Sequence, residues 1–363
     1  MTCNNPGRIR FVEDWLLSPK ILQQASAEED ICWVGNFECA ISQTPVDTPE
    51  KAYHLVLPES AWEWVVRSPF RALNLANNHS ADAGVKALER LVRRLMDETT
   101  IQPYGLTFLP FARLQVGRYR CAVIGCAERG YPPNRMLLPL DAVEREIARI
   151  RPNADRVFIT PHWGYEGEFA GHPSPRQRKL ARHWIEAGAD GIFGHHAHSI
   201  HGVETIRAKP VWFSLGNFDF DHVEGAKHPL SGLGLTVDYS VAEHDSWVYQ
   251  FIWHHELMPF SAALQPRAEK YLHEISKDFK GVCGWPTRKW LRSVGPRYIR
   301  KSDSSWRNRL RRTPLPGVIV KWMLWNLLPK TLLMRMACLC TEAAPLTTVR
   351  EFEESLAPMW PRK

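Results

Sequence analysis

The chain has 363 residues, of which 44% are hydrophobic and 23% charged, with a formal net charge of +7, and this composition excludes an intrinsically disordered protein. Its eight cysteines include no CxxC pair and show no regular disulfide-like spacing, which favours a reducing compartment. The first residues lack the apolar segment of a secretion signal, and no apolar run approaches the roughly 20 residues that span a bilayer, so we expect a cytoplasmic protein without a transmembrane helix.

Strand-sized apolar runs alternate with polar loops and amphipathic segments over about residues 8–214, and this pattern predicts an α/β fold. The runs cover residues 9–12, 31–34, 72–76, 121–124, 157–159, 191–193 and 211–213. Two later runs, at residues 232–239 and 247–253, flank a polar stretch and predict an antiparallel pair at a sheet edge. The sheet is therefore predicted to be mixed.

Two helices are predicted from their ends and their apolar spacing. One begins after Ser174, which suits the N-cap with Gln177 as the returning residue of a capping box, and it ends before Gly188. Its predicted buried positions are Leu180, Trp184 and Ala187. The other helix follows Asp82, and its predicted buried positions are Val85, Leu88, Val92 and Leu95.

The composition changes near residue 266, which predicts a first domain over residues 1–265 and a basic, mostly helical region over residues 266–363. Residues 261–363 contain 20 Lys and Arg against 8 Asp and Glu. Ten basic residues and one acid lie between Arg288 and Arg312, and such a field attracts nucleic acid, anionic lipid or a polyanionic polymer.

An apolar, tryptophan-rich stretch follows this basic run, and the pairing is typical of an interfacial membrane helix. We therefore expect residues 288–336 to bind an anionic membrane surface at the inner face. A solvated helical face, or a helix that packs on the first domain, would produce the same pattern. Nucleic acid is the least favoured partner, because the sequence contains no recognisable nucleic-acid-binding module.

Candidate metal ligands follow five of the predicted strands, where an α/β sheet places its binding loops. They are Asp14, Asn36, Glu38, Asn77, Asn78, His79, His162, His195, His196 and His198. Taken singly, the Asp and Asn residues are also typical of turns and caps, and His162 of a hydrogen-bonded loop histidine. The run His195 to His198 is harder to explain this way, because alternate residues of an extended segment share a face, which would place His196 and His198 in one site.

Six motifs in order resemble those of the CapA family, which is named for capsule and poly-gamma-glutamate synthesis and is a branch of the calcineurin-like metallophosphoesterases. The resemblance covers about residues 8–220. The motifs are FVED at 11–14, GNFE at 35–38, LANNHSADAG at 75–84, PHWGYE at 161–166, GAD through GHHAH at 188–198 and SLGNF at 214–218.

The resemblance implies a four-layer α/β sandwich of the metallophosphoesterase type, with mixed β-sheets and two divalent metal ions at the strand ends. By motif, Asp14 and His198 resemble ligands of one ion, and Glu38 occupies the place of the bridging carboxylate. Asn78, His162 and His196 resemble ligands of the other ion, and His79 resembles the catalytic acid. The residues expected near the site are Asn36, His195, Glu166 and Asn217.

The sequence departs from the superfamily pattern in its first motif, where Glu13 replaces a glycine and Leu16 stands in place of a histidine ligand. The remaining imidazole, amide and carboxylate groups suit Mn, Fe or Zn at a hydrolytic site. We therefore predict a metal-dependent phosphoester hydrolase with a phosphorylated substrate, acting in capsule or poly-gamma-glutamate synthesis beside other polymer-synthesis proteins. The alternative is a non-catalytic partner of an envelope polymer biosynthesis or export assembly.

Overall fold

The computed structural model describes residues 7–15, 31–43, 54–128, 135–164, 173–219, 233–242, 245–253, 258–259, 262 and 264–277. The strands are β1 Arg8–Trp15, β2 Cys32–Phe37, β3 Ala40–Ile41, β4 Val56–Leu57, β5 Phe70–Asn74, β6 Gln102–Tyr104, β7 Phe111–Val116, β8 Tyr119–Ala127, β9 Arg156–His162, β10 Gly191–Phe193, β11 Val203–Ile206, β12 Lys209–Trp212, β13 Asn217–Asp219, β14 Leu233–Ser240, β15 Ser246–Trp253 and β16 Met258–Pro259. The α-helices are α1 Trp62–Arg67, α2 Val85–Glu98, α3 Val143–Ile150, α4 Pro175–Glu186 and α5 Gln265–Ser276. Short 3-10 turns occupy Glu59–Ala61, Leu140–Ala142 and Arg151–Asn153.

Two mixed sheets form the centre of the fold. The first has the order β16-β15-β14-β1-β2-β5-β6, with β13 also paired to β1, and the second has the order β11-β12-β10-β9-β8-β7. Strands β1, β2, β5 and β6 run parallel in the first sheet, as do β8, β9, β10 and β12 in the second. The flanking strands β14, β7 and β11 are antiparallel to their neighbours. The predicted mixed pairing is confirmed.

The two sheets pack face to face, and helices cover their outer faces. Between the sheets, the ring of Phe11 stacks on that of Phe193 with centroids 3.7 Å apart, within one continuous cluster of buried side chains. Helix α2 packs on the first sheet in a second cluster, and α3 and α4 pack on the second sheet in a third. Burial of apolar surface on both faces of each sheet is what stabilises such layers. The four-layer α/β sandwich is confirmed.

The capping box of α4 is confirmed, since Ser174 and Gln177 form both of its hydrogen bonds. The predicted buried positions of this helix were partly wrong, because Ala187 is exposed and the buried stripe runs through Gln177, Ala181 and Trp184. In α2, Leu88, Val92 and Leu95 are buried as predicted, whereas Val85 is 42% exposed. Val85 lies in the first turn, at the edge of a stripe centred on Leu88 and Leu91.

The predicted antiparallel pair is confirmed in β14 and β15, which pair over their whole length with β16 as a short strand beyond them.

Helix α5 lies past the predicted boundary at residue 265, yet its residues Tyr271 and Ile275 are buried in the core between the sheets. The core between the sheets therefore includes α5, beyond the predicted boundary. The predicted basic helical region beyond it lies outside the described residues, so its helical character stays a prediction. Within the described part of the chain, no helix has both the length and the hydrophobicity needed to cross a membrane.

Candidate metal centre

Polar side chains gather at the carboxyl ends of the parallel strands. Glu38 directly follows β2, Asn78 comes four residues after β5, and His162 is the last residue of β9. His196 and His198 follow β10, whose loop is joined to the end of β9 by a backbone bridge between His162 and His195. Both sheets therefore contribute side chains to one site, because their strand ends meet at the same edge of the sandwich.

The carboxylate of Glu38 lies at the centre of this group. Its Oε1 atom is 3.5 Å from Nε2 of His162, 3.8 Å from Nε2 of His198 and 4.0 Å from Nε2 of His79. The ligand atoms of Glu38, His162 and His196 all lie within 4.8 Å of one another. The Glu38 side chain is fully buried. Its carboxylate is therefore shielded from water and surrounded by imidazole rings.

His162 is held by amides on both sides of its ring. Its Nε2 atom is 2.7 Å from Oδ1 of Asn78, and its Nδ1 atom is 3.4 Å from Nδ2 of Asn36. Asn77 links the loops that carry these amides. Its Nδ2 donates to the carbonyl oxygen of Phe37, and its Oδ1 accepts from the backbone N–H of His79. The loop after β5 is thereby tied to the loop after β2.

These distances fit a divalent metal ion. Metal–nitrogen and metal–oxygen bonds to such ions are about 2.0 to 2.2 Å, so two donors on one ion lie roughly 3 to 4 Å apart. The separations from Glu38 Oε1 to Nε2 of His162 and to Nε2 of His198, 3.5 and 3.8 Å, lie within this range. A buried carboxylate is costly to desolvate, and a cation bound among these groups would compensate its charge.

His79 is oriented by a carboxylate that the sequence analysis did not assign to the site. Its Nδ1 lies 2.6 Å from Oδ2 of Asp82, and the same oxygen accepts the backbone N–H of Leu55 at 2.7 Å. Both side chains are almost completely buried. With Nδ1–H donated to Asp82, the Nε2 atom of His79 points toward Glu38. In the sequence, this pairing is indicated by an aspartate three residues after a histidine in the same loop.

The loop carrying His196 and His198 adopts an unexpected backbone. The prediction of an extended segment was wrong, because φ is 95° at His196 and 52° at His198, in the left-handed region. Backbone hydrogen bonds hold the start of this loop, because the N–H of Gly194 donates to the carbonyl oxygen of Trp212 on β12 and the carbonyl oxygen of Gly194 accepts the N–H of Leu215. The rings nevertheless share one site, with the centroid of His196 4.5 Å from that of His162 and 6.5 Å from that of His198.

Of the residues expected near the site, Asn217 contacts a candidate ligand directly, since its Oδ1 lies 2.9 Å from Nδ1 of His198. Asn36 contacts His162, and His195 is buried where its backbone pairs with that of His162. The backbone of Asp14 lies in β1 opposite Asn36 and Asn217, but its side chain is outside what the structure describes. Glu166 and Leu16 likewise lie outside the described residues.

Two neighbouring side chains belong to the core. Cys39 is fully buried, and burial together with the charges of Glu38 and Asp82 raises the pKa of its thiol well above the usual value, so it remains neutral. Trp163 is also buried; it stacks on Trp184 and donates its indole N–H to the carbonyl oxygen of Phe213. Packing therefore accounts for both residues.

A profile of the family described as "Bacterial capsule synthesis protein PGA_cap" matches residues 18–222, which is more than half of the chain and includes every described candidate ligand. The chain belongs to this family. Among PGA_cap relatives, the capsule biosynthesis protein CapA of Bacillus anthracis is 30% identical over 207 residues, covering 52% of this chain and 50% of that protein. The PGA biosynthesis protein CapA of Bacillus subtilis is 29% identical over 202 residues, with 52% of each chain covered.

This PGA_cap chain spans about half the length of the curated relatives it matches. Among solved structures, it is similar to a phosphatase from Mycoplasma pneumoniae, with a TM-score of 0.44, 9% identity and coverage of 68% of this chain and 92% of that one. It is also similar to a 5'-nucleotidase precursor from Thermus thermophilus, with a TM-score of 0.41, 12% identity and coverage of 74% and 58%.

Proposed function

We propose that this chain is a metal-dependent phosphoester hydrolase whose active site is the cluster around Glu38. The observation that supports it is the gathering of a buried carboxylate, four histidines and an amide oxygen from separate strand ends. Oxygen and nitrogen ligands without thiolate are typical of catalytic rather than structural metal sites. Manganese, iron or zinc would suit this set of ligands.

The residues that would hold metal are Glu38, Asn78, His162, His196 and His198, with Asp14 supplied by β1. The family resemblance implies two ions, and in it Glu38 would take the place of the shared carboxylate. When bound, such ions lower the pKa of water and stabilise the entering and leaving oxygens of a phosphoryl group. The buried amides of Asn36 and Asn217 hold the rings of His162 and His198, which keeps their Nε2 atoms directed into the site.

His79 would supply the proton for the leaving group. Its Nδ1–H is held by Asp82, so the ring donates from Nε2, which faces Glu38. As the water oxygen bonds to phosphorus and the ester P–O bond breaks, the proton on Nε2 passes to the departing alkoxide. Asp82 favours the protonated imidazole because it is a buried carboxylate in contact with that ring.

The family supports a biological setting for this function. PGA_cap is described as a bacterial capsule synthesis family, and the two CapA relatives are named for capsule and PGA biosynthesis. We place this chain in capsule or poly-gamma-glutamate synthesis, in the cytoplasm, beside other proteins of polymer synthesis. The competing function is a non-catalytic partner of an envelope polymer assembly, which would retain the fold without turnover.

Metal content and turnover measured on the same purified full chain test the proposal. Elemental analysis would be combined with hydrolysis of bis-p-nitrophenyl phosphate and p-nitrophenyl phosphate in Mn²⁺. We expect bound metal and turnover in the wild type, both lost in His196→Ala and Asn78→Ala and both retained in the control Lys179→Ala on the exposed face of α4. If the two site variants keep both metal and turnover, the proposal is wrong. Metal without turnover in the wild type would support the non-catalytic alternative.

We further propose that residues 288–336 attach the protein to anionic membrane surfaces. The sequence places ten basic residues with one acid directly before an apolar, tryptophan-rich stretch. Flotation with vesicles containing phosphatidylglycerol would compare the full chain with a chain ending at residue 277, where the last described helix is complete. We expect the full chain alone to float, and only with anionic lipid. Equal flotation of both chains would reject attachment through this segment.

A further inference from the structure

A buried amide joins the two sheets next to the candidate metal centre. Asn74 is the last residue of β5, in the first sheet, and its side chain is fully buried. Its Nδ2 donates to the carbonyl oxygen of Thr160 at 3.0 Å, on β9 of the second sheet. Its Oδ1 accepts the backbone N–H of Ala76 at 2.9 Å, which orients the amide. Both polar ends of the side chain are therefore engaged.

The Asn74 side chain occupies a space that exists because two neighbouring residues are glycines. A Cβ atom at Gly105, which follows β6, would lie 2.3 Å from Oδ1 of Asn74, and so would a Cβ at Gly125 on β8. Both approaches are much closer than any real Cβ contact. The Asn74 amide is thus enclosed by backbone from both sheets, because glycine stands at the two positions where another residue would displace it.

A second link reaches the same strand of the second sheet. The hydroxyl of Tyr104 lies 3.1 Å from Oγ1 of Thr160, which in turn lies 3.4 Å from the carbonyl oxygen of Ile124. Since a carbonyl oxygen only accepts, Thr160 donates to Ile124 and Tyr104 donates to Thr160. Burial raises the pKa of Tyr104, so its hydroxyl keeps the proton that this link requires.

These bonds connect the two strand ends that carry His162 and Asn78 in the candidate centre. Thr160 lies two residues before His162 on β9, and Asn74 lies four residues before Asn78 in the loop after β5. We infer that Asn74 is a positioning residue, whose bond across the sheets sets the 2.7 Å separation between Nε2 of His162 and Oδ1 of Asn78. A role for Asn74 in metal binding and turnover rests on the proposed function. Its effect on the distance between His162 and Asn78 applies to the metal-free chain as well.

The metal-free full chain provides the first measurement. Histidine ring ¹⁵N spectra in EDTA report the Nε2–H of His162, identified by its absence in His162→Gln. In the wild type we expect a protected signal, because this proton is donated to Asn78. In Asn74→Ala we expect the signal to be lost to exchange with water, and in Tyr104→Phe to be weakened. An unchanged signal in Asn74→Ala overturns the inference. Should that variant fail to fold, an unchanged signal in Tyr104→Phe overturns it.

Two control variants separate positioning from general loss of stability. Val123→Ala opens a cavity at another fully buried position between the sheets. Gln102→Ala removes a different amide bridge between the sheets, in which Gln102 bonds both the N–H and the carbonyl oxygen of Arg113 on the outer strand β7. We expect both controls to keep the His162 signal. Loss of the signal in Val123→Ala at a matched loss of stability would overturn a specific role for Asn74.

Calorimetric titration with Mn²⁺ provides the second measurement. We expect binding to Asn74→Ala to be about tenfold weaker or more, the usual cost of removing a group that positions a ligand, while both controls stay within about twofold. Affinity in Asn74→Ala equal to that of the controls would overturn the inference. If the wild type binds neither Mn²⁺ nor Zn²⁺ nor Fe²⁺, the proposed function fails, and the ring spectra still decide whether Asn74 positions His162.

Discussion

His79 and Asp82 form a short, buried hydrogen bond, with 2.6 Å between Nδ1 of the imidazole and Oδ2 of the carboxylate. Asp82 is itself fixed, because the backbone N–H of Leu55 donates to the same oxygen. The pair lies in the loop that also carries Asn78, so the orientation of the candidate acid and the position of a candidate ligand share one local structure. This contact makes Asp82 the carboxylate that orients the ring of His79.

Asp82→Asn is therefore expected to impair turnover while metal binding is retained. The amide is similar in size but no longer favours the protonated imidazole, and general acid catalysis contributes about 10² to 10⁴ in rate. We expect the kcat for a phosphodiester to fall by about a hundredfold. The control is Asp97→Asn, at an exposed position in α2, which should match the wild type. Unchanged kcat in Asp82→Asn would show that His79 does not act through this pair.

Asn217→Ala is expected to weaken metal binding through His198. Oδ1 of Asn217 is hydrogen-bonded to Nδ1 of His198, and Nδ2 of Asn217 donates to the backbone carbonyl oxygen of His198. Removing the Asn217 side chain therefore frees the imidazole of His198 to rotate. Loss of such a supporting group typically costs about 10 to 100-fold in metal affinity. Titration with Mn²⁺ measures the change, and Arg113→Ala on β7 serves as the control. Equal affinities would mean that His198 is held by other contacts.

The left-handed backbone of His196 predicts an unusual order of stability among its variants. At φ 95° a β-carbon is strained, so His196→Gly should be more stable than His196→Ala by about 1 kcal/mol. Urea unfolding in EDTA gives this difference free of metal effects. The same pair of substitutions at Lys179, an exposed position inside α4, should give the opposite order, because alanine favours a helix over glycine. A more stable His196→Ala would contradict the strain at this loop.

Asp245 predicts a pH dependence of folding stability. Burial disfavours its charged form, but hydrogen bonds from Arg156 and Lys209 outweigh this and hold the pKa of the carboxylate below its usual value. A folded pKa below the unfolded one stabilises the protein above the unfolded pKa of about 4, and this stability is lost as the pH falls through the folded pKa.

Asp245→Asn removes the charge and suits the same backbone, since φ is 58° and asparagine tolerates this region. We expect it to lower the free energy of unfolding by about 1 kcal/mol at pH 7, a modest value because the pair is screened by solvent. The difference from wild type should shrink as the pH is lowered toward 3. Urea midpoints at both pH values measure it. A difference that is constant with pH would exclude the charge as its cause.

Local sequence patterns located the longer strands and helices α2 and α4, but they did not locate α1, α3 or α5. The capping box of Ser174 and Gln177 marked the start of α4, and the apolar runs marked the strands, because both signals depend on neighbours in the chain. The order of the motifs also identified Glu38, His162 and His196 as candidate ligands. Their type and their place at strand ends are properties of short segments.

What the chain alone did not determine are the relations between segments. The partnership of His79 with Asp82, the left-handed turns at His196 and His198, and the burial of α5 against the sheets all depend on tertiary packing. The bond from Asn74 to Thr160 joins residues 86 positions apart, and it exists only once both sheets are formed. Local patterns fix which groups are available, whereas the distances between them are set by how two separately formed sheets come together.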